Sequence, residues 1–401
     1  MRIEAVETLR LGEFPNLLWV RLHTEGGIAG LGETFMGAAA VEAYIHEHAA
    51  PRLVGGDVRD VERLTRSLSG YLGFRGSGVE TRGISAINIA LWDAFGQVAG
   101  MPIYRLLGGP SRDSVRIYNT CAGYKYVRKA TSQQVDNWGL GGDEGPYEDL
   151  DAFLNDAGPL AESLLDQGIT GMKIWPFDPY AEASGGLYIA PDELEQALTP
   201  FRQIRDAVGE RMDIMVEFHS LWNLPTAIRI AEALRPFNTF WHEDPIRMDS
   251  LDDLRGYAAR SPAPVCASET LAGVSGFRDL LQTGAAGVVM LDLSWCGGLS
   301  EARKIAGMAE AWHLPVAPHD CTGPVVLTAS THLSIHAPNA MIQETVRAFY
   351  HGWYRELVTD LPPIENGTIR APEGPGLGIA LQPGLEDRDD AIRRVTTVSD
   401  S

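Results

Sequence analysis

Residues 213–245, DIMVEFHSLWNLPTAIRIAEALRPFNTFWHEDP, indicate which fold the chain adopts. An apolar strand comes first, then a helix whose apolar residues recur every three or four positions, then a second apolar strand. Two strands joined through a helix lie parallel in one sheet, and the crossover between them is right-handed. The segment therefore predicts one strand–helix–strand unit of a parallel sheet.

The same unit recurs from residue 116 to about residue 350. The predicted strands are, in order, VRIYNTCAG, GITGMKIWP, MDIMVEF, FNTFWHEDP, PAPVCASE, AAGVVMLDL, HLPVAPHD and NAMIQET. Eight such strands are enough to close a barrel. An open dinucleotide-binding sheet is the alternative, but no glycine-rich phosphate turn follows the first strand. We therefore predict an α/β fold with a (β/α) barrel.

The regions on either side of the barrel have different patterns. Residues 1–115 begin with alternating strands, IEAVETLRL, LLWVRLHT and LGETF, and continue with helical periodicity. This order predicts a separate α+β unit. Residues 351–401 contain IENGTIRAPEGPGLGIAL, which is typical of strand and loop. We expect this tail to return to the N-terminal unit.

The composition disfavours several classes of protein. Acidic residues outnumber basic ones 53 to 33, for a formal charge of −20, and no lysine- and arginine-rich run is present. We therefore expect no nucleic-acid partner. The first 20 residues carry a charge every few positions, unlike a signal peptide or a membrane span, so we expect no membrane partner and a cytoplasmic protein. Four widely spaced cysteines indicate free thiols.

Polar residues fall at the carboxyl ends of six successive predicted strands. They are Glu217, Glu243, Glu269, Asp292, His319 and Glu344. The first three follow one another at intervals of 26 residues. One such carboxylate is commonly a helix cap, but barrel strands bring their carboxyl ends to one axial site. Three carboxylates in equal register favour a hard-oxygen site for Mg²⁺.

The residues at these strand ends resemble the enolase superfamily, specifically its mandelate racemase subgroup. The segments that carry the resemblance are ALWDAFGQVAGMPIYRLLGG, MKIW, VEFH, HEDP, ASET, MLDLSWCGG, APHDCTGP and ENGTIRAPEGPGLG. It implies an N-terminal capping domain, residues 1–115, over a modified TIM (β/α)7β barrel, residues 116–350. Residues 351–401 would be a C-terminal segment that returns to the capping domain.

The resemblance also implies the chemistry of the site. Glu217, Glu243 and Glu269 would bind one essential Mg²⁺, which holds a substrate carboxylate while a base removes the neighbouring proton. Members of this superfamily use a lysine or histidine base with Mg²⁺. We predict His319 as the base, because the preceding strand ends in Asp292, which can orient the ring and raise its basicity.

Strand two departs from the racemase pattern. Lys173 matches the first lysine of the subgroup's Lys-x-Lys motif, but Trp175 stands where the second lysine, the base on the opposite face, would be. Racemisation requires bases on both faces of the planar intermediate, so the loss of the second lysine disfavours a racemase. Lys173 and Glu344 are predicted to bind the substrate carboxylate, with barrel packing and helix capping as their respective alternatives. Trp175 is predicted to contact substrate, and Asp178 is a candidate substitute polar group.

His219 is the predicted acid. The side-chain period of a strand sends Glu217 and His219 to the same side. Their Glu-x-His arrangement is similar to that of acid-sugar dehydratases in the superfamily, in which this histidine protonates the departing β-hydroxyl. His242, beside Glu243, would point to the opposite face, and we interpret it as structural.

Two segments are predicted to be lids over the site. YLGFRGSGVETRG, residues 71–83, carries Arg75 and Arg82, and a long polar insertion spans residues 124–150. Loops of this length are either lids or spacers. Both contain aromatic residues and arginines suited to a polyhydroxy anion, which favours lids. Arg75 is predicted to bind the substrate.

Together these features predict a Mg²⁺-dependent dehydratase that converts a sugar acid, an aldonate or aldarate, to a 2-keto-3-deoxy acid. In the subgroup a strand-seven histidine is associated with an R-configured α-carbon, which favours a gluconate-, galactonate- or xylonate-like substrate. Two alternatives stay open. One is an epimerase, racemase or cycloisomerase that uses the same metal and His319, and the other is a regulatory protein that binds an acid sugar without catalysis. The resemblance implies an even-numbered homo-oligomer.

Overall fold

A computed structural model describes residues 1–69, 78–142 and 145–397 of the chain. Its strands are β1 (Ile3–Leu11), β2 (Leu17–Thr24), β3 (Ala29–Phe35), β4 (Val115–Thr120), β5 (Gly171–Ile174), β6 (Asp213–Glu217), β7 (Trp241–Glu243), β8 (Val265–Ala267), β9 (Ala286–Leu291), β10 (Val316–Pro318), β11 (Gln343–Thr345), β12 (Ile364–Glu365), β13 (Thr368–Ile369) and β14 (Ala391–Thr397).

The α-helices are α1 (Ala38–Tyr44), α2 (Ala50–Leu53), α3 (Val61–Ser67), α4 (Val79–Ala99), α5 (Ile103–Leu106), α6 (Asp149–Asn155), α7 (Ala157–Asp166), α8 (Asp178–Ser184), α9 (Pro191–Ala197), α10 (Thr199–Val208), α11 (Leu224–Leu234), α12 (Leu251–Ala258), α13 (Gly273–Thr283), α14 (Gly298–Ala311), α15 (Pro324–His336), α16 (Arg347–Tyr350) and α17 (Tyr354–Leu357). A π-helical turn covers Ile45–Ala49, and short 3₁₀ turns cover Val135–Asn137, Gly209–Arg211, Arg235–Phe237 and Leu385–Asp387.

An antiparallel sheet in the order β14-β1-β2-β3 forms the N-terminal unit. The long helix α4 packs against β3, and this contact requires glycine on the strand. A Cβ on Gly32 would lie 1.9 Å from the carbonyl oxygen of Ala86, and one on Gly30 would lie 2.2 Å from that of Ala90. The two glycines therefore let the helix backbone approach the sheet directly.

The second sheet is the predicted barrel. Strands β4 to β10 pair in parallel with their neighbours in chain order, and β11 pairs with β4. The N–H of Met341 donates to the carbonyl of Val316 at 3.0 Å, which joins the segment before β11 to β10 and closes the ring. Each of the seven connections between successive strands contains α-helix. The α/β fold with a (β/α) barrel is confirmed.

Side chains pack the barrel interior below the strand ends. The buried cluster consists of Tyr118, Met215, Trp241, Cys266, Val288, Met290, Ala317 and Ile342. Strand β5 contributes glycine to this layer, because a Cβ on Gly171 would lie 3.0 Å from both Tyr118 and Met215. The barrel interior is thus a packed core.

The C-terminal tail contributes strands to both sheets. Strand β14 pairs antiparallel with β1 over seven residues. The hairpin of β12 and β13 instead joins the barrel, where β13 pairs antiparallel with β4. We propose residues 1–115, 116–350 and 351–401 as the domain division, with the tail shared between the two sheets.

Several smaller predictions have outcomes in the fold. Part of the segment predicted as a loop, residues 71–83, is helical, because α4 already begins at Val79. Arg75 lies outside the described residues. The four cysteines are free thiols, as predicted. Within residues 1–69, 78–142 and 145–397, no helix has both the length and the apolar character needed to span a membrane.

Candidate active site

Three glutamates form a carboxylate cluster at the carboxyl end of the barrel. Glu217 and Glu243 end β6 and β7 and stand side by side in the parallel register, and Glu269 follows β8. One carboxylate oxygen from each lies within 4.8 Å of the others, and all three residues are buried. Such a set of close oxygen donors fits a divalent ion of the Mg²⁺ type.

The electrostatics of the carboxylate cluster also favour a bound cation. Burial and the negative charge of Glu217 raise the pKa of Glu243 well above its usual value. Burial also acts to raise the pKa of Glu217, but the positive charges of His219 and Lys173 outweigh it and bring that pKa to about 2. Adjacent buried carboxylates cannot all stay ionised without nearby cations. The cluster therefore demands positive charge, which is what a metal site supplies.

Lys173, on β5, is one such cation. Its Nζ lies 2.5 Å from Glu243 Oε1, 3.2 Å from Glu217 Oε2 and 2.9 Å from Glu344 Oε1. Burial alone would lower the pKa of Lys173, but the charges of Glu243 and Glu344 raise it well above its usual value. The ammonium group therefore stays charged and links the cluster to Glu344.

Glu344, on β11, lies on the far side of this lysine. Its carboxylate accepts hydrogen bonds from the Thr120 hydroxyl and, at 3.0 Å, from the N–H of Asp320. The helix-capping alternative for Glu344 is not observed, since Val346 occupies the N-cap of α16 without a side-chain cap. The glutamate instead spans β4 and the loop after β10.

His319 follows β10 and is held between two carboxylates. Its Nδ1 lies 2.7 Å from Asp292 Oδ2, and its Nε2 lies 2.7 Å from Glu269 Oε2. Asp292 is itself held by Ser294, whose N–H and hydroxyl both donate to Oδ1. Burial lowers the pKa of His319, but the charges of Glu269 and Glu344 overcome this and raise it well above its usual value.

His219 stands near the opposite side of the cluster. Its Nδ1 lies 2.6 Å from Asp178 Oδ2. Burial lowers the pKa of His219, but the charges of Asp178 and Glu217 outweigh it and bring the pKa to about 9. His219 and Glu217 line the same cavity, as the sequence predicted. The strand period does not set the direction of His219, however, because β6 ends at Glu217 and His219 has a positive φ of 49°. Glu217 Oε1 accepts the N–H of His219 at 2.7 Å and holds this turn.

Trp175 follows β5 and is almost completely buried. Its ring meets that of His219 nearly edge-on, with centroids 5.9 Å apart and planes at 74°. Tyr126 and Phe153 pack against the same indole, at centroid distances of 5.5 and 5.1 Å. The tryptophan thus occupies the position of the absent second lysine as a rigid apolar wall beside His219.

These residues surround a small cavity at the carboxyl end of the barrel. The predicted residues among its lining are Lys173, Trp175, Glu217, His219, Glu269, His319 and Glu344. Glu243 and Asp292 do not line this cavity; Glu243 contacts Lys173, and Asp292 contacts His319. These nine residues therefore lie together in one site.

Two family models match the chain. Residues 157–385 match the enolase C-terminal domain-like model, and residues 12–108 match the mandelate racemase / muconate lactonizing enzyme N-terminal domain. The chain belongs to the mandelate racemase / muconate lactonizing enzyme family. The resemblance inferred from the strand-end motifs is confirmed, and it extends to both halves of the chain.

Curated relatives in this family are similar over nearly their whole length. A D-galactonate dehydratase from Ralstonia nicotianae is 30% identical, over 96% of this chain and 93% of its own. A D-xylonate dehydratase from Haloferax volcanii is 28% identical, over 92% and 84% respectively. A crystal structure of an enolase of the mandelate racemase subgroup from Agrobacterium tumefaciens is 56% identical over the whole of both chains, with a TM-score of 0.89.

Some residues of this family site were not found from the sequence. Thr120, Tyr126, Gln133 and Cys321 also line the cavity. Tyr126 and Gln133 belong to the insertion predicted as a lid, while Cys321 lies two residues after His319. Positions in the predicted lid and beside His319 could have indicated that these residues lie near the site. Only the folded loops show that their side chains reach the cavity.

Arg82 and His242 have positions outside the cavity lining. The guanidinium of Arg82, on α4, lies 5.2 Å from the centre of the Trp295 ring, which in turn packs against His319 at 5.5 Å. His242 is buried, and its ring is within 2.6 Å of the Tyr257 hydroxyl. Burial lowers the pKa of His242 to about 3, so it is a neutral, hydrogen-bonded histidine.

Proposed function

We propose that the chain is a Mg²⁺-dependent dehydratase of a sugar acid. One observation carries the proposal: two histidines, each held by an aspartate, line the same cavity as Glu217 and Glu269 of the carboxylate cluster. Elimination of water across two carbons needs one group to take a proton and another to give one. The curated relatives named D-galactonate and D-xylonate dehydratase support the same reaction class.

Glu217, Glu243 and Glu269 would hold the ion, one per site. When bound, Mg²⁺ would neutralise the negative charge that develops on the substrate carboxylate as the α-proton leaves. Lys173 and Glu344 would contact the substrate carboxylate, with the ammonium group pairing with it directly. Trp175 would form the wall beside the sugar chain, and Arg75 is a further substrate-binding candidate from the segment outside the described residues.

His319 would accept the α-proton at Nε2. Asp292 holds the opposite nitrogen, which fixes the ring and stabilises the positive charge that it gains. Because Nε2 lies within hydrogen-bond distance of Glu269, Nε2 must lose both this contact and its own hydrogen before it can take a proton from substrate. Asp292 would thus keep the ring of His319 in place, and the ring would act as a base after it has separated from Glu269.

His219 would give a proton to the departing β-hydroxyl. Nδ1 faces Asp178, which leaves Nε2 as the nitrogen available to the cavity. The carbon–oxygen bond breaks, the hydroxyl leaves as water with the proton from His219, and a double bond forms between the α and β carbons. The resulting enol rearranges to a 2-keto-3-deoxy acid. We propose gluconate-, galactonate- or xylonate-like acids as substrates, and a cytoplasmic homo-oligomer as the working form.

The test is a screen of aldonates and aldarates for keto product, detected with semicarbazide, using Mg²⁺-loaded protein. We expect turnover of at least one acid sugar, abolished by EDTA and restored by added Mg²⁺. Retained turnover in EDTA would contradict the metal assignment. No turnover of any acid sugar would contradict the dehydratase assignment.

An epimerase or cycloisomerase is the second candidate, and the paired histidines favour it as the alternative. His219 would then serve as the proton donor on the second face of the intermediate, where Trp175 replaces the lysine. In D₂O such an enzyme would place deuterium in recovered substrate or an isomer without loss of water, which mass spectrometry detects. Tight binding of an acid sugar without any exchange would instead indicate a regulatory protein.

A further inference from the structure

Asp178 pairs with one of the two cavity histidines. It is the first residue of α8, four positions beyond the end of β5, and it is buried. Its Oδ2 lies 2.6 Å from Nδ1 of His219. Across the described ranges this is the only ion pair that Asp178 makes. The aspartate therefore has one evident partner, and that partner lines the cavity.

The chemistry of the pair determines which nitrogen of His219 can act. An ionised carboxylate only accepts hydrogen bonds, so Nδ1 carries the hydrogen and Nε2 is left for a molecule in the cavity. The aspartate therefore determines which ring nitrogen of His219 is available to the cavity.

His219 is also held from two other directions. Its backbone N–H donates to Glu217 Oε1, and its ring packs edge-on against Trp175. The contact with Asp178 fixes the rotation of the His219 ring about its Cβ–Cγ bond. Strand β5 and the turn after it thus supply both neighbours of His219, the indole wall and the carboxylate.

The same arrangement occurs at the other histidine of the site. His319 follows β10, and its partner Asp292 follows the neighbouring strand β9, with 2.7 Å between Nδ1 and Oδ2. His219 follows β6, and Asp178 comes from the turn after the neighbouring strand β5. Each histidine therefore takes a carboxylate from the carboxyl end of the strand before it.

From this arrangement we infer that Asp178 is a positioning residue for the dehydration step, holding His219 with Nε2 toward the substrate hydroxyl. The inference rests on the proposed function, because the step it serves is water loss. Asp178 acts through the histidine and does not itself touch the reacting atoms. Its loss should consequently slow water loss and leave removal of the α-proton to His319.

Kinetics of four variants test the role. In D178N we expect kcat for water loss to fall about 100-fold or more, in the range of general acid catalysis, with KM little changed. Exchange of the α-proton in D₂O should persist. H219N should behave alike, and D178N/H219N should be no slower than H219N. D206N is the matched control, since it makes the same change at an exposed aspartate on α10, in the same connection between β5 and β6, and it should match the wild type.

Two kinetic results would overturn the inference. One is equal loss of water elimination and α-proton exchange in D178N, which would indicate a general disturbance of the site. The other is a further large loss when D178N is added to H219N, because a residue that acts only through His219 has nothing left to do there.

Nuclear magnetic resonance of the ¹⁵N-histidine-labelled protein separates this inference from the proposed function, because it needs no substrate. The signals of His219 are those lost in H219N. We expect a proton on Nδ1 in the wild type, with its resonance shifted or lost in D178N. An unprotonated Nδ1 in the wild type would overturn the inference even if D178N does not fold, and so would an unchanged resonance in folded D178N. If no acid sugar turns over, the proposed function fails while this measurement still decides the pairing.

Discussion

Acid should destabilise the fold through His332, a buried histidine on α15. Its ring bridges two regions outside the barrel: Nδ1 accepts the N–H of Tyr104 at 3.4 Å, and Nε2 donates to the carbonyl of Leu377 at 3.1 Å. This is the neutral tautomer, and a second ring hydrogen would face the N–H of Tyr104. Burial lowers the pKa of His332 from 6.5 to about 4.

The sign and size of the effect follow from that shift. Between pH 6.5 and about 4 the unfolded chain binds a proton at His332 that the folded chain does not, so the free energy of unfolding decreases as the pH falls. A shift of this size corresponds to about 3 kcal/mol, from roughly 1.4 kcal/mol per pKa unit. The stability contribution is complete above pH 6.5 and is lost by about pH 4.

The assay is urea unfolding of wild type and H332Q at pH 7.5 and pH 4.5, followed by tryptophan fluorescence. Glutamine can still donate and accept hydrogen bonds but does not titrate. H332Q should be less stable at pH 7.5, and its deficit should shrink by about 2 to 3 kcal/mol at pH 4.5, because only the wild type loses this contribution. Other titrating groups cancel in the difference. A deficit that is the same at both pH values would refute the reasoning.

Three further predictions concern the site and the sheet–helix contact. H319N should lower both α-proton exchange and water loss by about 1,000-fold, measured by mass spectrometry in D₂O; exchange at the wild-type rate would remove His319 as the base. E243Q should weaken Mg²⁺ binding by more than about 10-fold in calorimetric titration, and unchanged affinity would contradict the proposed ligand set. G32A should lower the free energy of unfolding by about 1–3 kcal/mol, since its Cβ would meet Ala86. In the control variant G276A, on α13, the Cβ would meet nothing within 4 Å, so thermal unfolding should show neutral or increased stability.

The barrel could be predicted because its repeated strand–helix units produce a repeated pattern in the sequence. The barrel strands are largely buried on both faces and therefore mostly apolar, and most connections carry a helix with one apolar face. The polar residue at each strand end interrupts that pattern at a regular interval, so Glu217, Glu243 and Glu269 could be found from their spacing alone. Parallel register then brings Glu217 beside Glu243.

Contacts between loops produce no such repeated pattern in the sequence. The direction of His219 depends on a left-handed turn that begins where β6 ends, and strand periodicity could not predict it. Its pairing with Asp178 joins positions 41 residues apart, and Tyr126 reaches the cavity from an insertion without regular periodicity. Arg82 was predicted in a loop but lies in a helix, because α4 begins at Val79.

The sequence by itself determined the barrel, the carboxylate cluster at its strand ends and the family to which the chain belongs, because those features follow from local periodicity and from residues at fixed positions along each repeat. Only the tertiary structure decided that Asp178 holds His219 and that Lys173 joins three glutamates across the barrel. Side chains from strands far apart in the chain meet there, and the distances and burial that set their charge arise only when the barrel closes.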